Sequence, residues 1–130
     1  MPYVTDTHSL VWHLTDSPQL SPKAKSIFMA ADEHEEKIVI PCIVFFELLY
    51  LTEKKRIAPS FYTLLTLVGS SRDYRVEPVC LPIIRRTADV PRDKIADPWD
   101  RIIAATALHV GLPLITRDQV FGKVGLDTIW

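Results

Sequence analysis

Short apolar runs alternate with longer stretches of helical periodicity along this chain. Tyr3 to Asp6 is predicted to form a short strand, and Thr7 to Leu14 a short helix. Ser21-Pro22 is a helix start, with serine as N-cap and proline in the first turn. That helix carries Ala24, Ile27, Phe28 and Ala31 on one face and ends in the polar run Asp32 to Lys37. Ile38-Val39-Ile40 reads as a strand closed by Pro41, and Ile43 to Lys54 as a mostly apolar helix. Pro59-Ser60 starts another helix, ending near Gly69. Arg75 to Val79 reads as a strand, and Pro82 to Val90 as a helix with Ile83, Ile84 and Thr87 available for packing. Asp97 to Val110 is a helix stopped by Gly111, a common residue just past a helix end. Leu112 to Thr116 is a buried strand, and Asp127-Thr128-Ile129 a last short one. Short apolar strands separated by helices imply βαβ units, hence a parallel sheet covered on both faces.

Isolated acids stand at the edges of these apolar segments. Asp6 ends the first strand, and Glu47 interrupts the helix between Phe46 and Leu48. Asp97 and Asp100 open the run Ile102-Ile103-Ala104-Ala105, and Asp118 follows Leu114-Ile115-Thr116. Carboxylates are costly to bury unless they are paired or bind a cation. In open parallel sheets, ligands bind at the carboxyl ends of the strands. The helix holding Asp97 and Asp100 precedes the Leu114 strand and must run antiparallel to it, so its N-terminus reaches that same end. Glu47 sits about a turn inside the helix that follows Ile38-Val39-Ile40. All of these acids therefore project toward one end of the sheet.

Taken singly, most have an ordinary structural explanation. Asp6 can cap the helix from Thr7, and Asp118 can serve a turn or a short helix after it. Asp97-Pro98-Trp99-Asp100 fits a helix start, with Asp97 as N-cap and Asp100 at the third position. Asp97 is the better cap, and Asp100, one turn in, the better ligand. Glu47 has so little polar helix face around it that a structural role would need a buried partner. None of these explanations accounts for the shared location. Thr7 and Thr116 are candidates for hydrogen bonds to the carboxylates. Arg101 and Arg117 are candidates for phosphate contact, although a solvated or salt-bridged state is the more ordinary expectation and Arg101 can pair with Asp97 at i,i+4. His8 is a candidate lining residue. His8, His13, His34 and His109 have no zinc spacing. Trp12, Phe45, Phe46 and Trp99 are expected in core or interface rather than as base-stacking platforms.

Composition narrows the class. The 130 residues suit one domain, taken as 1–130, and the 48% hydrophobic and 24% charged content is that of a soluble globular chain. A net charge of −1 lacks the basic signature of a strong nucleic-acid binder, although it permits an enzyme that engages RNA or DNA locally. Cys42 and Cys80 lie in apolar contexts without a CxxC pairing and are expected to be reduced core thiols. No segment reaches the ~18 apolar residues of a membrane helix. The N-terminus lacks a basic leader pattern, so no membrane partner is expected and a cytoplasmic location follows.

Carboxylates gathered within a few ångströms repel one another, and without a cation at least one would stay protonated. An all-oxygen site suits Mg²⁺ or Mn²⁺. Such ions activate water and stabilise charge on a scissile phosphate, so the expected substrate is a phosphodiester. The chain has no P-loop and no GxGxxG. A receiver-like or phosphatase-like domain also gathers acids at strand ends, but the Ile38-Val39-Ile40 strand ends in Pro41-Cys42, which does not suit a phosphoacceptor.

The segments Val4-Thr5-Asp6-Thr7-His8-Ser9-Leu10-Val11-Trp12, Glu47-Leu48-Leu49, Asp97-Pro98-Trp99-Asp100-Arg101-Ile102-Ile103-Ala104-Ala105-Thr106-Ala107 and Leu112-Pro113-Leu114-Ile115-Thr116-Arg117-Asp118 together resemble the signature of the PIN domain, specifically its VapC-type toxins. The resemblance spans essentially the whole chain, in the family's order. It is most specific from Asp97 to Asp118 and least specific at Glu47. It implies a three-layer α/β/α fold with a central parallel sheet, and a ribonuclease dependent on Mg²⁺ or Mn²⁺. The family's acidic quartet, catalytic and metal-binding, carries over to Asp6, Glu47, Asp100 and Asp118. Asp97 corresponds to an accessory acid, and Thr116 to the family's Ser/Thr near the last acid. The resemblance further implies an RNA substrate, a cognate antitoxin protein that blocks the site, and a homodimer. The alternative is a PIN-fold module that binds RNA or protein without cutting. An intact acidic quartet argues against it. The low pI is unusual for an RNA-processing enzyme and leaves the substrate groove undefined.

Overall fold

The computed structural model describes residues 2–130. The elements run β1 (Tyr3–Thr5), α1 (Thr7–Leu14), α2 (Pro22–Asp32), β2 (Ile38–Pro41), α3 (Ile43–Glu53), α4 (Phe61–Gly69), β3 (Tyr74–Glu77), α5 (Leu81–Thr87), α6 (Pro98–Val110), β4 (Leu114–Ile115), a 3₁₀ helix (Gln119–Val124) and β5 (Thr128–Ile129). The local signals act as expected. Ser21, Ser60 and Asp97 cap α2, α4 and α6 through side-chain oxygens that accept from the backbone N–H three residues on. Gly111 ends α6 with φ +70°, a left-handed conformation that glycine adopts without a Cβ penalty.

The strands form one five-stranded sheet in the order β3-β2-β1-β4-β5, parallel throughout. With the flanking helices this is the α/β architecture expected from the alternating pattern. The order reverses direction beside β1: the chain moves outward through β2 and β3, then returns to add β4 on β1's other side. Such a switch point opens a crevice at the carboxyl ends of the two diverging strands. Thr5 pairs with Ile115 there, and the Asp6 N–H donates to the Ile115 carbonyl at 3.2 Å. The core on either side is aliphatic, with Val4, Leu10, Phe28, Ile38, Ile40, Leu48, Ile103, Leu114 and Ile115 fully enclosed. The central strands read as continuous apolar runs because both faces are covered.

Three local expectations fail. The strand predicted at 112–116 is only Leu114–Ile115, because Leu112 and Pro113 complete the turn out of α6. Ile84 is 46% exposed, since α5 turns only Ile83 fully inward. Cys42 is exposed at the junction of β2 and α3 and so is not a core thiol, while Cys80, half-buried before α5, packs against the edge of the core; both are free thiols.

Candidate active site

Asp6 is the pivot of the site. It caps α1, and its Oδ1 accepts from the Ser9 N–H at 2.9 Å. Its Oδ2 accepts from the Thr116 hydroxyl at 2.6 Å, across the β1–β4 crevice. Capping and site membership are thus compatible, because a carboxylate has two oxygens and the helix uses one. Burial pushes the Asp6 carboxyl up from its ordinary value, and the hydrogen bonds from Ser9 and Thr116 pull it back. The Thr116 hydroxyl oxygen also accepts from the Asp118 N–H at 3.1 Å, and Asp118 in turn caps the 3₁₀ helix through Val120. One threonine therefore fixes two acids. Ser9, which the sequence did not single out, closes the same seam: its hydroxyl donates to the Ile115 carbonyl at 3.2 Å.

Glu47 reaches the site from α3. Its partner is the Thr7 hydroxyl, which donates to Oε1 at 2.8 Å. Burial raises the Glu47 carboxyl, and the charges of Asp97 and Asp6 push the same way. The packing of α3 on α6 brings Phe46 and Trp99 to a ring separation of 5.3 Å beside it. Asp100, on the first turn of α6, lies nearest the electrostatic centre. Burial first, then the charges of Asp97, Glu47, Asp118 and Asp6, push its carboxyl from 3.8 up to about 7. That one group feels all the other acids shows that β1, α3, α6 and the segment after β4 deliver them to one place. Asp97 spends its side chain on the cap, accepting from the Asp100 N–H at 3.0 Å.

Arg101 does not pair with Asp97. Its guanidinium turns away and donates to the carbonyls of Val90 and Thr87, each at 3.0 Å, anchoring the segment between α5 and α6. Consequently it does not neutralise the acids. Among the histidines, His8 lines the cleft and lowers the cost of charge at Asp6 and Glu47, while His13 pairs with Asp32 and His34 with Asp73. Phe46 and Trp99 are exposed rather than in the core; Phe45 packs against it.

Among the described residues, no three acidic, histidine or cysteine side chains close into a ready metal cage. The donor chemistry nevertheless fits a hard divalent ion. All donors are carboxylate oxygens, burial and then the neighbouring acids raise Asp100 to about 7, and such an ion needs only one or two direct carboxylates while keeping its waters.

A family model described as PIN domain matches residues 3–126. Ribonuclease VapC22 of Mycobacterium tuberculosis is 29% identical over 114 residues, covering 88% of this chain and 85% of that protein. Among solved structures, VapBC2 from Rickettsia felis bound to a promoter DNA fragment superposes with a TM-score of 0.74 at 18% identity, covering 99% of this chain and 98% of that one. The Mycobacterium tuberculosis toxin VapC20, which cleaves the sarcin-ricin loop, superposes with a TM-score of 0.72 at 16% identity, covering 95% of each chain. FitAcB from Neisseria gonorrhoeae gives 0.72 at 18%, covering all of this chain and 97% of that one. The acid-bearing crevice at the β1–β4 switch point and the match from residue 3 to residue 126 lead to one assignment: the chain belongs to the PIN domain family.

Proposed function

We propose that this protein is a single-domain endoribonuclease, spanning 1–130, that requires Mg²⁺ or Mn²⁺ and acts as the toxin of a type II toxin–antitoxin pair. The observation that carries the reading is the placement of Asp100 among Asp97, Glu47, Asp118 and Asp6, whose charges add to burial in raising its carboxyl to about 7. Such a cluster is costly to a fold unless a cation resolves it. The similarity to a ribonuclease along most of both chains supports the same substrate class.

Asp6, Asp100 and Asp118 would hold the ion, with Glu47 completing its shell or orienting water, and Asp97 as an accessory acid. The bound ion supplies activation of water and neutralisation of charge on the scissile phosphate. The chain's own residues prepare for this. Thr116 and Ser9 keep the Asp6 carboxylate at a fixed angle. Thr7 holds Glu47 in a rotamer that faces the acids, and burial of Asp6 keeps bulk water from its oxygens. The substrate would be RNA, and the enzyme would act in the cytoplasm. No helix of the described residues is long and apolar enough to cross a membrane. The partners would be a second copy of the chain and an antitoxin protein, in keeping with the two-component VapBC structures that share this fold.

A non-cutting PIN-fold module is the second reading, favoured by the lack of a closed metal cage among the described residues. Asp6→Asn separates the two. Asparagine keeps an acceptor for the Ser9 N–H, so the fold should persist. Cleavage of a varied RNA panel with Mg²⁺ or Mn²⁺, by protein freed of any copurifying partner, should fall by at least about 100-fold. Equal cleavage by parent and variant, or no metal-stimulated cleavage by the parent, rejects the enzyme reading.

A further inference from the structure

The side of the site formed by α1 and the segment after β4 is a cleft of about 440 Å³, lined by Asp6, His8, Trp12, Arg117, Asp118 and Gln119. That volume lies within the range of small-ligand clefts, about 300–1,000 Å³. Arg117 is exposed and, among the described residues, forms no ion pair, although Asp118 is its neighbour in sequence. Its guanidinium instead lies over the Trp12 ring, 5.8 Å from the centroid. Trp12 is itself braced by the edge of Trp130 at 5.8 Å and by the tilted ring of His8 at 5.7 Å. A cation stacked this way loses little further freedom on binding an anion.

The opposite side of the acids is different. There Glu47 lies in a groove with Phe46, Tyr50, Leu51 and Trp99, and the Lys54 ammonium stands over the Tyr50 ring, 4.7 Å from its centroid. A polyanion approaching the acids meets a point-like ammonium on that side and, on the other, a guanidinium whose planar fork matches the geometry of a phosphate.

We propose that Arg117 and Trp12 form a flanking-nucleotide subsite. The guanidinium takes an RNA phosphate adjacent to the scissile one, and the rings of Trp12 and His8 take the neighbouring base. Gln119, at the mouth, offers both a donor and an acceptor to that base's edge. This rests on the ribonuclease reading above and adds the side from which the strand enters.

The test uses the full chain in an Asp100→Asn background, in which cleavage is suppressed. Binding of a fluorescein-labelled single-stranded RNA pool is followed by anisotropy in Mg²⁺ at several salt concentrations. Arg117→Gln should weaken binding about tenfold and reduce the slope of log affinity against log salt by about 0.7, the loss of one phosphate contact. Arg117→Lys should keep the slope. Arg85→Gln, on the distant α5 surface, should match the parent in both. In the cleavage-competent chain, Trp12→Phe should shift the preferred base beside the cut. Unchanged affinity and slope in Arg117→Gln overturn the subsite, as does a loss confined to binding of an acidic protein partner. A parent that neither binds nor cuts RNA overturns the ribonuclease reading as well, and the inference with it.

Discussion

Asp100→Asn should separate function from stability, because its two effects have opposite signs. In the metal-free fold the Asp100 carboxyl titrates at about 7 instead of 3.8, from burial and from the charges of Asp97, Glu47, Asp118 and Asp6. At about 1.4 kcal/mol per pH unit, holding that group ionised costs about 4 kcal/mol in full. The side chain is only partly enclosed, and solvent screening reduces the figure to roughly 2 kcal/mol. Asparagine removes this charge but forfeits a favourable interaction with the N-terminus of α6, about 0.5 kcal/mol. The net gain, roughly 1.5 kcal/mol, should raise Tm by about 5 °C at pH 8 without metal. The sign follows from linkage. A carboxyl whose folded pKa lies above its unfolded value makes the fold bind extra protons between the two, so the parent loses stability as pH rises from about 4 to about 7. The variant's advantage should therefore shrink as pH falls and vanish below about pH 4, where Asp100 is protonated in the folded and unfolded chain alike. Mg²⁺ should stabilise the parent and not the variant, and RNA cleavage should be lost. Differential scanning calorimetry across pH, with EDTA and with Mg²⁺, reads all of this. A variant less stable than the parent at pH 8, or equally stabilised at pH 5 and pH 8, would refute the reasoning.

Three further outcomes follow from other contacts. Thr116→Val keeps the shape but leaves the buried Asp6 Oδ2 and the Asp118 N–H without their hydroxyl partner, and should cost about 1–3 kcal/mol in chemical denaturation while reducing cleavage. Arg101→Met should cost about 2 kcal/mol, chiefly by leaving the Val90 carbonyl without the guanidinium while Thr87 keeps the Val90 N–H, visible as faster amide exchange in the segment between α5 and α6; unchanged exchange would contradict the anchoring role. Asp73, enclosed between His34 and Lys37, has its carboxyl held below the ordinary range by those two hydrogen bonds. Its contribution is present above the unfolded pKa and lost on acidification, so Asp73→Asn should lower Tm at pH 7 and converge on the parent as pH falls below about 4; a constant gap would remove the titration from the account.

The sequence by itself determined the elements and the end of the sheet at which the acids gather. Caps at Ser21 and Asp97, the stop at Gly111 and the apolar runs at Val4, Ile38 and Leu114 are local signals, set by backbone groups within a few residues. Parallel strands joined by helices have a fixed sense, so the acids at strand ends and helix starts had to meet at one edge. The sequence also assigned Asp97 to the cap and proposed Thr7 and Thr116 as carboxylate partners, and the fold uses them so. Tertiary structure alone decided the rest. The order β3-β2-β1-β4-β5, which makes β1–β4 the crevice, depends on which strands find each other after long crossovers. Arg101 looked like a local i,i+4 partner for Asp97, but a long side chain with five donors can reach carbonyls ten or more residues back, and the fold brings those of Thr87 and Val90 within its reach. The acids shared an end of the sheet by topology. Only the tertiary packing, with α3 set on α6, made Asp100 the carboxyl that feels all the others.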